Sequence, residues 1–478
     1  MTARPLTRGG GGGRPAAPVR LVHLGLGNFF RAHQAWYTDR APDGEGWGYA
    51  AFGGRTGAVA SLLEEQEGLY SLITRSGRDD RFSVVASISR AHPAADHAAW
   101  LDCFASPRLA AVTVTVTEAG YLRAAGGGAD LQGAGMQADL AALRRDRSAP
   151  VSTAPGRLVA GLLARRAADG GPLALVPCDN LPSNGTVLEE VLRHLAAAVD
   201  PSLEEWMSDN LSVVTTVVDR ITPRAGDGDA ELVAASTGWV DLCPVVAEPF
   251  AEWVLSGSFP AGRPDWEGSG ARLVADPAPF ESRKLWLLNG AHSLLAYAGS
   301  ILGHSTVPGA AADPACRAWL DDWWAVASAH LDQPAGEVSA YRAALVERFS
   351  NVRMADRLAR IAEDGSQKLP VRILPVLRAE RAAGRPAPGA CRVLAAWICH
   401  LRGMGVPVRD ARADEVVPLA GGAIREAVRR VLGWLGPDLS ADADLRSAVV
   451  DLCEELARRR RPGAGGPGPG DGRAAGPR

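Results

Sequence analysis

"VRLVHLGLGNFF", Val19 to Phe30, decides how the first half of this chain is read. Residues 19–27 are a short apolar run that ends in Gly25-Leu26-Gly27, and "FFRAHQAWYTDRA" (29–41) continues with helical spacing. A buried strand closing on a glycine turn and opening a helix is how a dinucleotide-binding fold begins. The turn brings backbone close to a pyrophosphate, and the helix start favours its charge. The candidate cofactor residues here are Gly25, Leu26, Gly27, Asn28 and Phe29. The third glycine of G-x-G-x-x-G is absent, with Phe30 in its place, so the turn needs support from the rest of the chain.

That support lies in the alternation that follows. "WGYAAFG" (47–53), "AAVTVTV" (110–116), "PLALVPC" (172–178) and "LSVVTTVV" (211–218) read as further strands. "SLLEEQEGL" (61–69) and "TVLEEVLRHLAAAV" (186–199) read as helices between them. Short apolar runs alternating with helices predict a parallel sheet covered on both faces. From about residue 276 strand-like runs nearly vanish, and helical patterns occupy 282–301, 314–330, 338–348, 353–363, 390–403, 422–434 and 443–459. The expected fold class is therefore α/β, a Rossmann-like N-terminal domain followed by a mostly α-helical C-terminal domain. The expected boundaries are a Rossmann-like domain over 19–275 and a helical substrate and catalytic domain over 276–458. Low-complexity ends, 1–18 and 459–478, are expected to be disordered. A cleft between two such domains is a usual place for a small substrate.

Composition excludes several other classes. The 478 residues are 47% hydrophobic and 22% charged with net charge −3, so no global basic field recruits nucleic acid or membrane. Seven scattered cysteines with no C-x-x-C argue for a reducing compartment and against a zinc ribbon. No signal-peptide core or membrane-length apolar run stands out, so the cytoplasm is the expected location. The arginine run "RRRR" (458–461) is expected to be a solvated tail, with nucleic-acid binding as its rival.

Ligands of open α/β sheets bind beyond the carboxyl ends of the strands. Three predicted strands end in polar clusters: Thr117 and Glu118, Asp179 and Asn180, Asp219 and Arg220. Their recurrence predicts one shared site. The second strand should end in an acidic residue for the ribose of NAD, but Gly53-Gly54-Arg55-Thr56 stands there. Arg55 would suit a 2′-phosphate, so the residues alone leave NAD and NADP open.

"KLWLLNGAHS", Lys284 to Ser293, sets polar groups among leucines and a tryptophan. At about 100° per residue on a helix, Glu281, Lys284, Asn289 and His292 share one flank about 140° wide. Such a flank can oxidise an alcohol without metal. A buried lysine with lowered pKa takes the hydroxyl proton. Asparagine amides hold the developing alkoxide. Histidine orients the hydroxyl, and Glu281 relays the proton to water. The nine histidines show no zinc-ligand spacing, so no metal is expected.

These stretches resemble the long-chain mannitol dehydrogenase family, of the mannitol 2-dehydrogenase and fructuronate reductase type. The matching segments include "VHLGLGNFFRAHQAWYTD", "TVTEAGY", "PCDNLPSNG", "VVDRITP", "ESRKLWLLNGAHSLLAYAG" and "RIAEDGSQK". They follow the family's order from about residue 20 to 375. The resemblance implies a zinc-independent, NAD-preferring, monomeric enzyme of two domains. It implies Lys284 as general base, Asn180 and Asn289 as the oxyanion pair, and His292 as the residue orienting substrate. Glu281 takes the place of a proton relay. Arg360, Asp219 and Lys368 match residues that line the substrate or cofactor site. The expected activity is interconversion of a polyol or aldonate and its keto sugar. Mannitol-1-phosphate 5-dehydrogenase and a catalytically idle nucleotide sensor are the rivals.

Overall fold

The computed structural model describes residues 3–53, 57–124, 126–354 and 356–460. They fall into two units divided between Phe280 and Glu281.

The first unit is built on a six-stranded sheet. Its strands are β1 (Val19–Leu26), β2 (Gly48–Gly53), β3 (Ile88–His92), β4 (Ala111–Val114), β5 (Leu173–Pro177) and β6 (Leu211–Val213). All neighbours pair in parallel, in the order β3-β2-β1-β4-β5-β6. This is the doubly wound dinucleotide order, whose direction reverses between β1 and β4. Side chains alternate across the sheet. Leu21, Tyr49, Ala51, Ala111 and Val176 join the core on one face. Val22, Leu24, Ala50, Phe52, Val112, Val114 and Leu175 join the core on the other. Burial on both faces explains why these strands read as continuous apolar runs rather than as alternation.

The helices follow from local signals. Thr153 caps Ala154–Ala167, accepting from the Gly156 amide at 3.0 Å, with Pro155 in the first turn. Asn184–Val199 buries Val187, Leu188, Val191, Leu192 and Leu195, a stripe at helical spacing.

Three expectations need correction. The segment 211–218 is not one strand: the chain leaves the parallel sheet at Val214, and Thr215–Asp219 pairs antiparallel with Glu252–Ser256. At this point Gly257 packs closely, since a Cβ there would lie 3.0 Å from the Val214 Cα. The segment 29–41 forms two short helices, Asn28–Ala32 and Gln34–Arg40, broken at His33. Finally, residues 3–18 are not a loose end. Arg4–Pro5 pairs with Trp239–Val240, and Leu6 is fully buried against Leu69 and Ala86. Arg8 donates to the carbonyls of Glu67, Ala86 and Ile88 at 2.8–2.9 Å. One leucine and one arginine anchor a stretch whose glycine content predicts disorder.

The second unit is helical. Pro388–Leu401 is buried along nearly its whole length and packs against Ala443–Arg459 and Pro314–Ser328. The expected helix 353–363 is reduced to Leu358–Ile361, while Gly365–Arg372 and Leu374–Ala382 were not anticipated. The last expected segment, 459–478, is helical at Arg459, and 461–478 lie outside the described residues. Among the described residues no helix is long and apolar enough to cross a membrane.

Candidate functional site

In the first unit the candidate cofactor residues Gly25 to Phe29, Thr117 and Glu118 lie at the carboxyl ends of β1 and β4, where the strand order reverses. Gly25 has φ +109°, and a Cβ on it would lie 2.0 Å from the Thr115 carbonyl oxygen. The Thr115 hydroxyl also donates to the Gly25 carbonyl at 2.9 Å. Gly25 is therefore demanded by the fold itself. Gly27 is different. It is extended (φ −143°), and a Cβ there would meet only the Gly25 carbonyl, at an ordinary 3.6 Å. Nothing inside the described chain requires glycine at 27, which leaves room for a ligand to approach the backbone there. Leu26 ends β1, and Asn28 and Phe29 open the following helix.

Phe30 explains the missing third glycine. Its ring stacks on His23 of β1 with centroids 3.5 Å apart and planes 8° apart. Where a glycine would let helix and strand approach, an aromatic pair fills the gap. His23 also bonds Thr113 at 2.8 Å and Thr115 at 3.0 Å, and burial pushes its pKa down to about 3.

Thr117 and Glu118 are exposed in the turn after β4. After β5, Asp179 accepts from the hydroxyl of Tyr121, and Asn180 follows on an exposed loop. The buried Asn184 secures this loop: its amide accepts from the Thr216 N–H at 2.9 Å and donates toward the Pro177 carbonyl at 3.3 Å. Asp219 is buried, but it ends the antiparallel strand opposite Glu252. Only two of the three polar clusters thus end strands of the parallel sheet.

In the second unit the predicted catalytic flank is not a regular α-helix. Ala278–Arg283 is α-helical, Lys284–Gly290 is a π-helix, Ala291–Leu294 is α-helical and Leu295–Gly299 is again π. In a π turn the repeat runs from residue i to i+5. Lys284 and Asn289 are therefore spaced as the two ends of one π hydrogen bond, which narrows the angle between them. On an α-helix they would diverge by about 140°. Both are buried, with relative exposures of 8% and 7%. Among the described residues the Asn289 Nδ2 amide is buried without a hydrogen-bond partner. His292 is half-buried and stacks on Phe349, with centroids 4.9 Å apart. Glu281 lies in the preceding α turn, also half-buried.

Two family models match the chain: the mannitol dehydrogenase Rossmann domain over residues 19–268 and the mannitol dehydrogenase C-terminal domain over 276–451. The chain belongs to the mannitol dehydrogenase family. Among relatives in this family, D-mannonate oxidoreductase of Escherichia coli is 34% identical, across 92% of this chain and 93% of its own length. D-arabinitol 4-dehydrogenase of Ralstonia nicotianae is 39% identical, across 80% of this chain and 82% of its own. The solved structure of Pseudomonas fluorescens mannitol 2-dehydrogenase, a ternary complex with NAD and D-mannitol, superposes with TM-score 0.79. It is 32% identical and covers 92% of each chain.

The remaining candidates of this mannitol dehydrogenase family member fare differently. Arg360 is exposed on Leu358–Ile361, and its charge acts on the carboxyl of the nearby Asp356. Lys368 donates its Nζ to the carbonyls of Ile361 and Glu363, and burial lowers its pKa. Arg220 is buried, bonded to the Glu248 and Ala32 carbonyls and stacked on Trp36 at 4.4 Å. It is committed to the fold and is not a spare cation. Arg55 lies outside the described residues. No group of three or more His, Cys, Asp or Glu among the described residues could hold a metal ion.

Sequence reasoning missed the groups that brace the π turn. Trp323 donates its indole N–H to the Trp286 carbonyl and Trp324 to the Leu287 carbonyl, each at 2.9 Å. Ser293 donates to the Asn289 carbonyl at 3.1 Å, and Arg372 reaches the same carbonyl at 3.4 Å. Gly290 is needed because a Cβ would lie 2.7 Å from the Trp323 ring. The adjacent tryptophans of "DDWWAV" (321–326) were the only available signal.

Proposed function

We propose that this protein is a metal-independent, NAD-dependent dehydrogenase of an open-chain polyol or aldonate, run in either direction. The observation that carries the reading is that Lys284 and Asn289 lie buried in the same π-helical segment, with the Asn289 amide lacking a hydrogen-bond partner among the described residues.

Lys284 is the acid–base. A buried amine whose charged form is disfavoured can accept a hydroxyl proton near neutral pH. The Asn289 amide N–H groups stabilise the alkoxide oxygen as charge develops there. Family resemblance assigns Asn180 as the second donor, His292 to orient the hydroxyl, and Glu281 to pass the proton to water. Asp219 and Lys368 are assigned to the surroundings of the site on the same ground.

The cofactor expectation is supported by the contrast of Gly25 and Gly27: one glycine is required by the fold, the other leaves space beside the turn. Leu26, Asn28, Phe29, Thr117 and Glu118 would complete that cradle. Bound nicotinamide supplies the hydride acceptor. The named NAD complex of the Pseudomonas fluorescens relative supports NAD over NADP.

Arg360 favours an acidic substrate. A carboxylate or phosphate substrate needs a cation; Arg220 is committed to carbonyls within the fold and Lys368 to two loop carbonyls, whereas Arg360 is exposed. A 34% identical D-mannonate oxidoreductase agrees with this preference. The test is a panel of polyols, aldonates and sugar phosphates with NAD and NADP, followed at the absorbance of the reduced nicotinamide. Turnover of mannonate or mannitol with NAD is expected. Turnover confined to sugar phosphates, or none with any member, contradicts the reading.

A further inference from the structure

The π turn that carries Lys284 and Asn289 has to be held. Where the helical ladder widens from four-residue to five-residue spacing, a carbonyl loses its usual amide partner. The carbonyls of Trp286 and Leu287 lie within this turn, and two consecutive indoles from Pro314–Ser328 donate to them, each at 2.9 Å. Trp323 is fully buried and Trp324 nearly so. The fit leaves no slack, since Gly290 has no room for a Cβ beside the Trp323 ring. Trp324 does more. Its ring stacks on Phe349 with centroids 6.2 Å apart, and Phe349 stacks in turn on His292. One helix thus braces the turn that carries the lysine and asparagine, and an aromatic relay continues to the histidine.

We propose that Trp323 and Trp324 are positioning residues, whose indole N–H groups hold the wide turn open so that Lys284 and Asn289 face the same substrate oxygen. The proposal rests on the reading of Lys284 and Asn289 as acid–base and oxyanion donor. Neither tryptophan takes part in the chemistry. Without the indole donors the turn relaxes toward α spacing, and Asn289 rotates away from Lys284.

The test uses the full-length enzyme with its best substrate and compares Trp323→Phe, Trp324→Phe and the double variant with wild type. Phenylalanine keeps an aromatic ring but cannot donate. Trp319→Phe, on the same helix but stacked on Arg392 at 4.6 Å, controls for loss of a buried indole. The double variant is expected to lose about tenfold to a hundredfold in kcat, the scale for displaced catalytic groups, with NADH affinity unchanged. The pH midpoint of its kcat should also move. Trp319→Phe should leave kcat and its pH midpoint in place even if it lowers the melting temperature. If the double variant does not fold, each single variant must lower kcat by about threefold or more. Wild-type kcat and pH midpoint in the folded tryptophan variants overturn the proposal. Lys284→Ala is measured alongside: an inactive Lys284→Ala beside fully active tryptophan variants removes the clamp but keeps the base. An active Lys284→Ala removes the base assignment itself.

Discussion

Lys284 and Asn289 stand one π-helical turn apart, both buried, on a segment whose neighbours are leucines and a tryptophan. On an α-helix they would stand at the two edges of one flank, about 140° apart, and the wider turn narrows that angle. The buried amide of Asn289 has no hydrogen-bond partner among the described residues. A buried, unpaired amide costs stability and is worth explaining by function.

Asn289→Ala tests that explanation. Losing one oxyanion donor is expected to lower kcat by about a hundredfold or more. Stability should hold or rise, because the substitution removes an unsatisfied donor. A loss of less than about threefold would make the residue structural.

The two glycines of the turn should separate fold from ligand. Gly25→Ala places a Cβ 2.0 Å from the Thr115 carbonyl and forces an unfavourable positive φ, so it should fold poorly or melt early. Gly27→Ala meets nothing closer than 3.6 Å and should melt normally, yet bind NADH more weakly in a fluorescence titration. Unchanged NADH affinity in Gly27→Ala would remove the turn from the cofactor site.

Buried histidines should make the protein acid-sensitive. Burial lowers the pKa of His23 to about 3 and of His400 to about 4, against about 6.5 in an unfolded chain. Between these values the unfolded chain binds protons that the folded one does not, so stability falls as pH drops through 6.5. Each contributes roughly 1–2 kcal/mol to the loss by pH 5. Urea midpoints from pH 7 to 5 should decline in wild type and decline less in His400→Gln. Parallel declines would show that His400 is not held neutral.

A chelator titration addresses the metal-free mechanism. Activity should survive prolonged EDTA and dialysis unchanged. Loss of activity restored by zinc would replace the lysine mechanism with a Lewis-acid one.

Much of this was legible in the chain, for physical reasons that differ by segment. β1, β4 and β5 are buried on both faces, so "VRLVHLGLG", "AAVTVTV" and "PLALVPC" announce them as apolar runs. The break at Val214 was hidden because both flanking strands are apolar and no turn residue stands between them. The N-terminal segment was misread because composition averages over many glycines, whereas Leu6 and Arg8 do the anchoring. The flank of Glu281, Lys284, Asn289 and His292 was found as a group, but its geometry was not. α and π turns share the same residue preferences, and the indoles bracing this turn come from 37 positions away.

The most direct measurement is turnover by Lys284→Ala beside its affinity for NADH. The account predicts a fall in kcat of several orders of magnitude with NADH binding essentially unchanged, because the amine moves the proton and does not hold the nucleotide. Turnover within a few-fold of wild type in a folded, NADH-binding Lys284→Ala protein would contradict it.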